Sequence, residues 1–585
     1  MKYSKPPVAN IRKGNAVRRW NGWGDDSIEF AINADALAFL RERVGAGTPP
    51  ADAAFDDVCR QVPASRLPCL PSHPLIDATP ETRVRHALGQ SLPDWLKLRH
   101  GKIGNVPDGV AFPESSDDVR ALLDYAQQCG ALVIPYGGGT SVVGHLTVPD
   151  AGQPVLTISL ARLSRLLDLD RQAQLATFGA GVVGPDLEAQ LRAQGYTLGH
   201  FPQSFEYSTL GGWVVTRSSG QQSLRYGRIE QLFAGGKVET PAGTLAIPTF
   251  PASAAGPDLR EIVMGSEGRI GILTEATVRV SPLPQREEFH AVFFPGWDQA
   301  QEAVRAIAQA KLPLSMLRLS NATETLTTLT LAGHKTLIGL LETWLGWRGC
   351  REGKCVLLVG ASGGADTVAH ALKGAFRIAR RHGGVAVGQM IGHKWKQNRF
   401  RNVYLRNSAW RQGYAIDTVE TAVDWPRVTG MMQAVERAAA DALLGFDESV
   451  HTYTHLSHLY AQGASVYTTF VYRLAGGYDA DLARWKALKQ AVCEAIVANG
   501  GTISHQHGVG VDHAPYLAAE KGELGMRTLR ELCRHFDPRG MMNPGKLLCD
   551  AAPAEPDLPS TRVKECPSLS PTGEGAEPGP RIHVG

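Results

Sequence analysis

No uninterrupted apolar run of about 18 residues or more occurs in the 585-residue chain, so a membrane-spanning helix is not expected. Charge of one sign is also scarce. Sixty Lys and Arg face 57 Asp and Glu, a net charge of +3, and the basic residues are scattered, which argues against a nucleic-acid partner. The nine cysteines lie far apart. Cys350 and Cys355, the closest pair, lack a second pair or nearby histidines to complete a zinc site; reduced, mostly buried thiols and no metal are expected. The opening Met1-Lys2-Tyr3-Ser4-Lys5-Pro6-Pro7 has no secretory apolar stretch, and Ile582-His583-Val584-Gly585 is no peroxisomal tripeptide. The expectation is a cytoplasmic protein.

Two common nucleotide signatures are missing as well. No Gly-x-Gly-x-x-Gly opens a helix with an acid about twenty residues later, as a Rossmann domain requires. Gly235-Gly236-Lys237 runs into Val238, so it is not a phosphate-binding P-loop. No internal repeat is evident.

What is present begins with length, which implies roughly three to four structural units. The first hundred residues carry short helical patches, a proline-rich stretch from Pro63 to Pro80 and the distinctive Arg18-Arg19-Trp20-Asn21-Gly22-Trp23-Gly24. From about Ile103 the pattern is α/β. Ser115 opens a capping-box-like Ser-x-x-Asp, followed by Val119, Leu122, Leu123 and Ala126 at helical spacing. Strands are predicted over 155–160, 173–179, 274–280 and 288–294. An amphipathic helix carrying Trp485, Leu488, Val492, Ala495 and Ile496 is predicted to stop at Asn499-Gly500-Gly501. Beyond Leu548, proline, glycine, serine and glutamate dominate, and disorder is expected.

The chemistry-bearing clusters come in a fixed order. Ala131-Leu132-Val133-Ile134 delivers Pro135-Tyr136-Gly137-Gly138-Gly139-Thr140-Ser141, in which three glycines free the backbone N–H groups to approach an anion and two hydroxyls add donors. Gly179-Ala180-Gly181 follows. Then come Gln203-Ser204 and Ser208-Thr209-Leu210-Gly211-Gly212, Thr216-Arg217-Ser218-Ser219-Gly220, and Glu267-Gly268-Arg269-Ile270-Gly271-Ile272-Leu273. This order resembles the FAD domain of the vanillyl-alcohol-oxidase superfamily, the p-cresol methylhydroxylase (PCMH) type. Over nearly its whole length the chain looks most like the alkyldihydroxyacetonephosphate synthase family. The discriminating matches are Trp20-Asn21-Gly22-Trp23-Gly24, Gly199-His200, Gly256-Pro257-Asp258, Glu420-Thr421 and Gly463-Ala464-Ser465-Val466-Tyr467.

The resemblance implies an α+β protein: an N-terminal helical extension (1–102), a two-subdomain PCMH-type FAD-binding domain (103–283), and a substrate-binding cap with an antiparallel sheet flanked by helices (284–548), before the tail (549–585). It implies non-covalent FAD held by residues 135–141, 203, 204, 208, 209, 216–219 and 267–273. His145 is not expected to anchor the flavin. It also assigns Tyr467 as the active-site tyrosine, Arg406 as the substrate-binding arginine and Arg318 as a further arginine needed for activity. His505 and His507 match the outer members of a three-histidine loop whose middle position is Gln506. Extended backbone would put both imidazoles on one face, which also permits a metal site.

The implied reaction is redox-neutral: the acyl group of an acyl-dihydroxyacetone phosphate is exchanged for a long-chain alcohol, through a substrate adduct with flavin. A small-molecule or lipid phosphate substrate, a homodimer and peripheral membrane contact go with it, although no amphipathic segment marks a membrane face. FAD-linked 2-hydroxyacid dehydrogenases of the D-lactate and glycolate type are the second reading, because Asp537-Pro538-Arg539-Gly540-Met541-Met542-Asn543-Pro544-Gly545-Lys546 resembles their C-terminal motif. Against it, their metal-binding Gly-Asp-Gly-Asn-x-His is replaced by Gly463-Ala464-Ser465-Val466-Tyr467.

Overall fold

The computed structural model describes residues 18–67, 73–332 and 335–549; the expected disordered tail, apart from Cys549, lies outside them. Helix Ser116–Cys129 shows how local sequence sets the frame. Ser115 accepts from the Asp118 amide while Asp118 accepts from the Ser115 amide, Val119, Leu122, Leu123 and Ala126 bury one face, and Gly130 ends the helix at φ 65. Strand Leu132–Tyr136 follows at once and lies parallel to Val155–Ser159, which also pairs in parallel with Gly109–Ala111. Ile76–Asp77, from the N-terminal extension, adds an antiparallel edge. A second sheet of five antiparallel strands runs Leu166–Asp170, Leu175–Gly179, Ile272–Arg279, Phe233–Thr240, Gly243–Ile247. These two sheets are the paired subdomains expected for the FAD-binding half.

The cap is one antiparallel sheet of seven strands, in the order Val385–Ala386, Arg286–Phe294, Cys355–Gly363, Met316–Ser320, His451–Leu456, Gly463–Arg473, Tyr414–Asp424. Helices Trp297–Gln309 and Ala365–Arg381 pack together and against strand Cys355–Gly363, while Val428–Leu444 packs on Tyr478–Ala498. In Ala365–Arg381, Val368, Ala371, Leu372, Ala375 and Ala379 form the buried stripe. The expected helix near residue 485 is the longer Tyr478–Ala498, and Gly500 behind it takes φ +68.

Segments near both ends of the described residues tie the molecule together. The Asn407 side chain accepts from the Trp23 amide and donates to the Trp23 carbonyl, so the Trp20–Gly24 motif clamps the helix Leu405–Arg411 that carries Arg406. At the other end, Val133 donates to Met541 and receives from Asn543, which lays the Asp537–Lys546 motif back on the glycine-turn strand rather than on the cap. None of the described cysteines is in a disulfide.

Candidate active site

The glycine turn is packed so closely on the segment behind it that side chains are excluded. A Cβ at Gly138 would overlap the Tyr207 backbone carbonyl, one at Gly137 would meet the Thr209 hydroxyl, and Gly139 has φ +64. Thr209 caps the short helix Leu210–Val215. All of residues 135–141 line a cavity of about 1130 Å³, together with Gln203, Ser204, Ser208, Thr209, Thr216, Ser218, Ser219, Glu267, Gly268, Gly271, Ile272 and Leu273.

Three of the residues expected to hold the cofactor do not reach this wall. Arg217 sits at φ 52 and turns outward to Glu261 and the Met264 carbonyl. Arg269 bonds the Met542 and Asn543 carbonyls, and Ile270 is buried in the core. The cradle is therefore one of backbone N–H groups, hydroxyls and missing Cβ atoms, which suits a pyrophosphate held without paired cations. The donor set fits FAD. His145 stands in the same wall, with Nδ1 2.7 Å from the Ser141 hydroxyl and Nε2 3.0 Å from Glu267.

The far end of the cavity is built by strand register. His455, Tyr467 and Glu420 lie directly opposite one another on three adjacent strands, so their side chains share a face. The His455 ring stacks on the Tyr467 phenol at 4.7 Å and 18°, and His507 approaches that phenol edge-on at 5.8 Å. Burial, reinforced by Glu420 and Asp417, pushes the phenol of Tyr467 upward, so it stays protonated. Burial pushes His507, His455 and His458 down, which keeps them neutral. Arg318 and His455 meet Glu324 at 2.5 and 3.1 Å and, overriding burial, bring its carboxyl down to about 2.

Arg406 lies with its guanidinium 4.3 Å from the centre of the Trp95 ring and donates to the Gln90 carbonyl at 2.7 Å. Its other terminal nitrogen is buried without a partner. Tyr467, His507, Arg318 and Arg406 all line the cavity; His505 does not. The 501–510 segment is a loop, not a strand, and it turns His505 away toward Arg228, Tyr460 and Glu420, so the two imidazoles do not share one face. His458, His455 and Glu324, which sequence reasoning missed, stand in the wall instead. The Thr454-His455-Leu456-Ser457-His458 run was the available signal.

Comparison with known proteins follows the same division. Residues 107–247 match the FAD binding domain family, and residues 283–547 match the C-terminal domain of FAD linked oxidases. The alkyldihydroxyacetonephosphate synthase of Dictyostelium discoideum is 30% identical over 473 residues, covering 80% of this chain and 77% of the relative. The chain belongs to the alkyldihydroxyacetonephosphate synthase family. FAD is the cofactor of this family member. The synthase of Trypanosoma brucei brucei is 27% identical and covers 92% of this chain and 94% of its own length. Glycolate oxidase subunit GlcD of Bacillus subtilis is 26% identical over 77% of this chain and 90% of its own. A solved alkyldihydroxyacetonephosphate synthase shares the fold at TM-score 0.75 and 24% identity, covering 90% of this chain and 98% of that one. p-Cresol methylhydroxylase shares it at TM-score 0.65 and 12% identity, over 84% and 96%.

Two outcomes follow from this geometry. Gly138→Ala should yield a protein with wild-type circular dichroism and no bound flavin absorbance, since the added methyl group runs into the Tyr207 backbone and forces the glycine turn out of its cradle geometry; a yellow variant would refute the packing argument. Stability should also fall on acidification. The three neutral histidines have folded pKa values below the ordinary value of about 6.5, so the unfolded chain binds more protons below that pH and is favoured. Glu324 and Glu420, both held below the usual carboxylate range, add a second loss as pH drops through about 4.5 and below. Asp512, raised to about 7 by burial, opposes this, as do Asp94, Glu206, Glu436 and Asp537, which burial also raises; His86, His200, His451 and His513, held low by burial, add to the loss. The urea midpoint at pH 5.5 should lie below that at pH 7.5, and equal midpoints would contradict the buried neutral histidines.

Proposed function

We propose that the protein exchanges the acyl group of an acyl-dihydroxyacetone phosphate for a long-chain alcohol, releasing a fatty acid with no net oxidation. The observation that supports this most is a single cavity with three environments in series: the cofactor cradle, the polar centre at Tyr467, and an apolar arm walled by Leu329, Leu337, Leu341, Trp344, Ile391 and Trp395. An alkyl chain needs that arm, and oxidation of a small hydroxyacid does not.

FAD, when bound, supplies an electron-accepting ring beside the substrate carbon. Arg406, held over the Trp95 ring with one unpartnered buried nitrogen, is suited to take the phosphate. Neutral His507 is the base for the proton on the carbon next to the ketone, and protonated Tyr467 is the acid that faces the oxygens. Arg318, tied to Glu324 and lining the same cavity, is suited to hold the departing carboxylate. His505 acts through its neighbours. With the purified yellow protein under anaerobic conditions, the acyl substrate and a long-chain alcohol should release fatty acid while flavin absorbance is retained. Tyr467→Phe should lower turnover by a factor of about 100 or more with FAD still bound. Flavin bleaching by D-lactate or glycolate, with no fatty acid released, would transfer the case to the hydroxyacid dehydrogenases.

Peripheral membrane contact belongs to the same reading, as does a homodimer. Among the described residues no helix is long and apolar enough to cross a membrane. Helix Lys335–Trp347 instead exposes Leu337, Leu340, Trp344 and Trp347, the last 81% exposed, and the first three also wall the cavity. This is the membrane-facing segment that sequence reading could not name: an apolar helix at the mouth of an apolar arm, suited to a lipid surface. The double variant Leu340→Ser/Trp347→Ser should lose co-sedimentation with phosphatidylcholine vesicles. Undiminished binding would remove this helix from the membrane face.

A further inference from the structure

Gln506 stands where the family's loop has its middle histidine, and the groups around it fix which way its amide points. Glu420 is buried and ionised; it accepts from the Ser457 hydroxyl at 2.7 Å and from Gln506 Nε2 at 2.5 Å. A carboxylate only accepts, so the amide nitrogen must face it and the amide oxygen must face the other way. Gln506 lines the cavity, and no donor among the described residues bonds its Oε1.

The support behind Glu420 is locked in the same manner. Arg228 meets His505 Nε2 at 2.6 Å and Tyr460 Oη at 2.9 Å, and Tyr460 lies 2.7 Å from the same Nε2. A guanidinium only donates, so Tyr460 accepts from Arg228 and passes its own proton toward Nε2, which must carry the lone pair. The ring proton of His505 is then on Nδ1, 3.3 Å from Glu420. Glu420, His458 and His505 do bring ligand atoms within 4.8 Å of one another, but a metal there would need the Nδ1 lone pair and would push the Nε2 proton at Arg228. The cluster is a hydrogen-bonded brace, not a metal centre.

We propose that Gln506 positions the incoming alcohol by accepting a hydrogen bond from its hydroxyl through Oε1. The inference rests on the exchange reaction proposed above and assigns the site of its second substrate. The two substrates differ in one recognisable respect. The acyl-dihydroxyacetone phosphate offers ketone, ester and ionised phosphate oxygens, which are acceptors, whereas the alcohol offers an O–H. A fixed carbonyl oxygen therefore attracts the alcohol and repels the acyl substrate's oxygens. Its place next to His507 suits the step: the ester C–O bond to the carboxylate breaks, the ether C–O bond to the alcohol oxygen forms, and the hydroxyl proton leaves through His507, with no net transfer of electrons.

The test uses the FAD-loaded full-length protein with hexadecanol and palmitoyl-dihydroxyacetone phosphate. Gln506→Met keeps the length of the side chain and removes the acceptor. It should raise KM for hexadecanol roughly tenfold, the loss of one uncharged hydrogen bond, and move KM for the acyl substrate by less than about twofold. An unchanged alcohol KM, or equal rises in both, overturns the proposal. Should this variant lose its flavin, the wild-type protein decides: 1-fluorohexadecane, similar in size to the alcohol but without the donor, should inhibit with a constant roughly tenfold above KM for hexadecanol, and parity overturns the assignment. One tightly held metal ion per purified chain would also overturn it, because it would reverse the His505 tautomer. Absence of fatty-acid release from the wild type would instead refute the exchange reaction itself.

Discussion

A buried carboxylate at the centre of a sheet face governs the catalytic half. Glu420 is 2% exposed, and an ion in that position is tolerable only if its lone pairs are filled. Ser457 and Gln506 donate to it, and the Nδ1 side of His505 stands 3.3 Å away. Two of these neighbours are fixed in turn: Ser457 by Ser465, and His505 by Arg228 and Tyr460. The charge thus orders the histidine loop, and by register it stands beside Tyr467 and helps to keep that phenol protonated. One ionised group sets both the geometry and the proton state of its surroundings.

A second carboxylate joins the two halves of the molecule. Glu267, at φ 53, accepts from the Val509 and Gly510 amides and faces His145, so the last cofactor-cradle loop and the histidine loop hold a common position. The C-terminal return onto Val133 and the Asn407–Trp23 bonds brace the same junction from either side. A cofactor ring held by one half must meet proton-handling groups from the other to within fractions of an ångström. Buried hydrogen bonds across the junction supply that constraint better than apolar contact would, since they have a direction.

Much of this was legible before the structure. The capping box at Ser115, the glycine turn and the order of the small-residue loops are local patterns with local causes, and they appear where expected. What sequence could not give was direction. Arg217 and Arg269 belong to cradle loops but turn away from the cavity, one through a positive φ and the other through distant carbonyls. His505 and His507 are two residues apart, and a loop separates them onto different partners. His455 matters because register sets it against Tyr467 twelve residues later. Helix Lys335–Trp347 is apolar along most of its length, and only the exposure of Leu340 and Trp347 marks it as surface.

The same frame serves relatives that oxidise and relatives that transfer, so the cradle alone does not decide the reaction. The chain's own departures do. Tyr467, in the polar centre, is a phenol held protonated, which can donate to an oxygen but cannot ligate a cation without losing its proton at high cost. The remaining candidate ligands, Glu420, His458 and His505, are committed to Arg228, to Gln506 and to the hydroxyls of Ser219 and Ser223. With acid, base and cations present and the metal ligands occupied, the centre is equipped to break and make carbon–oxygen bonds at a carbon beside a ketone. The apolar residues that line the same cavity are what suit it to the long chain of the exchange proposed above.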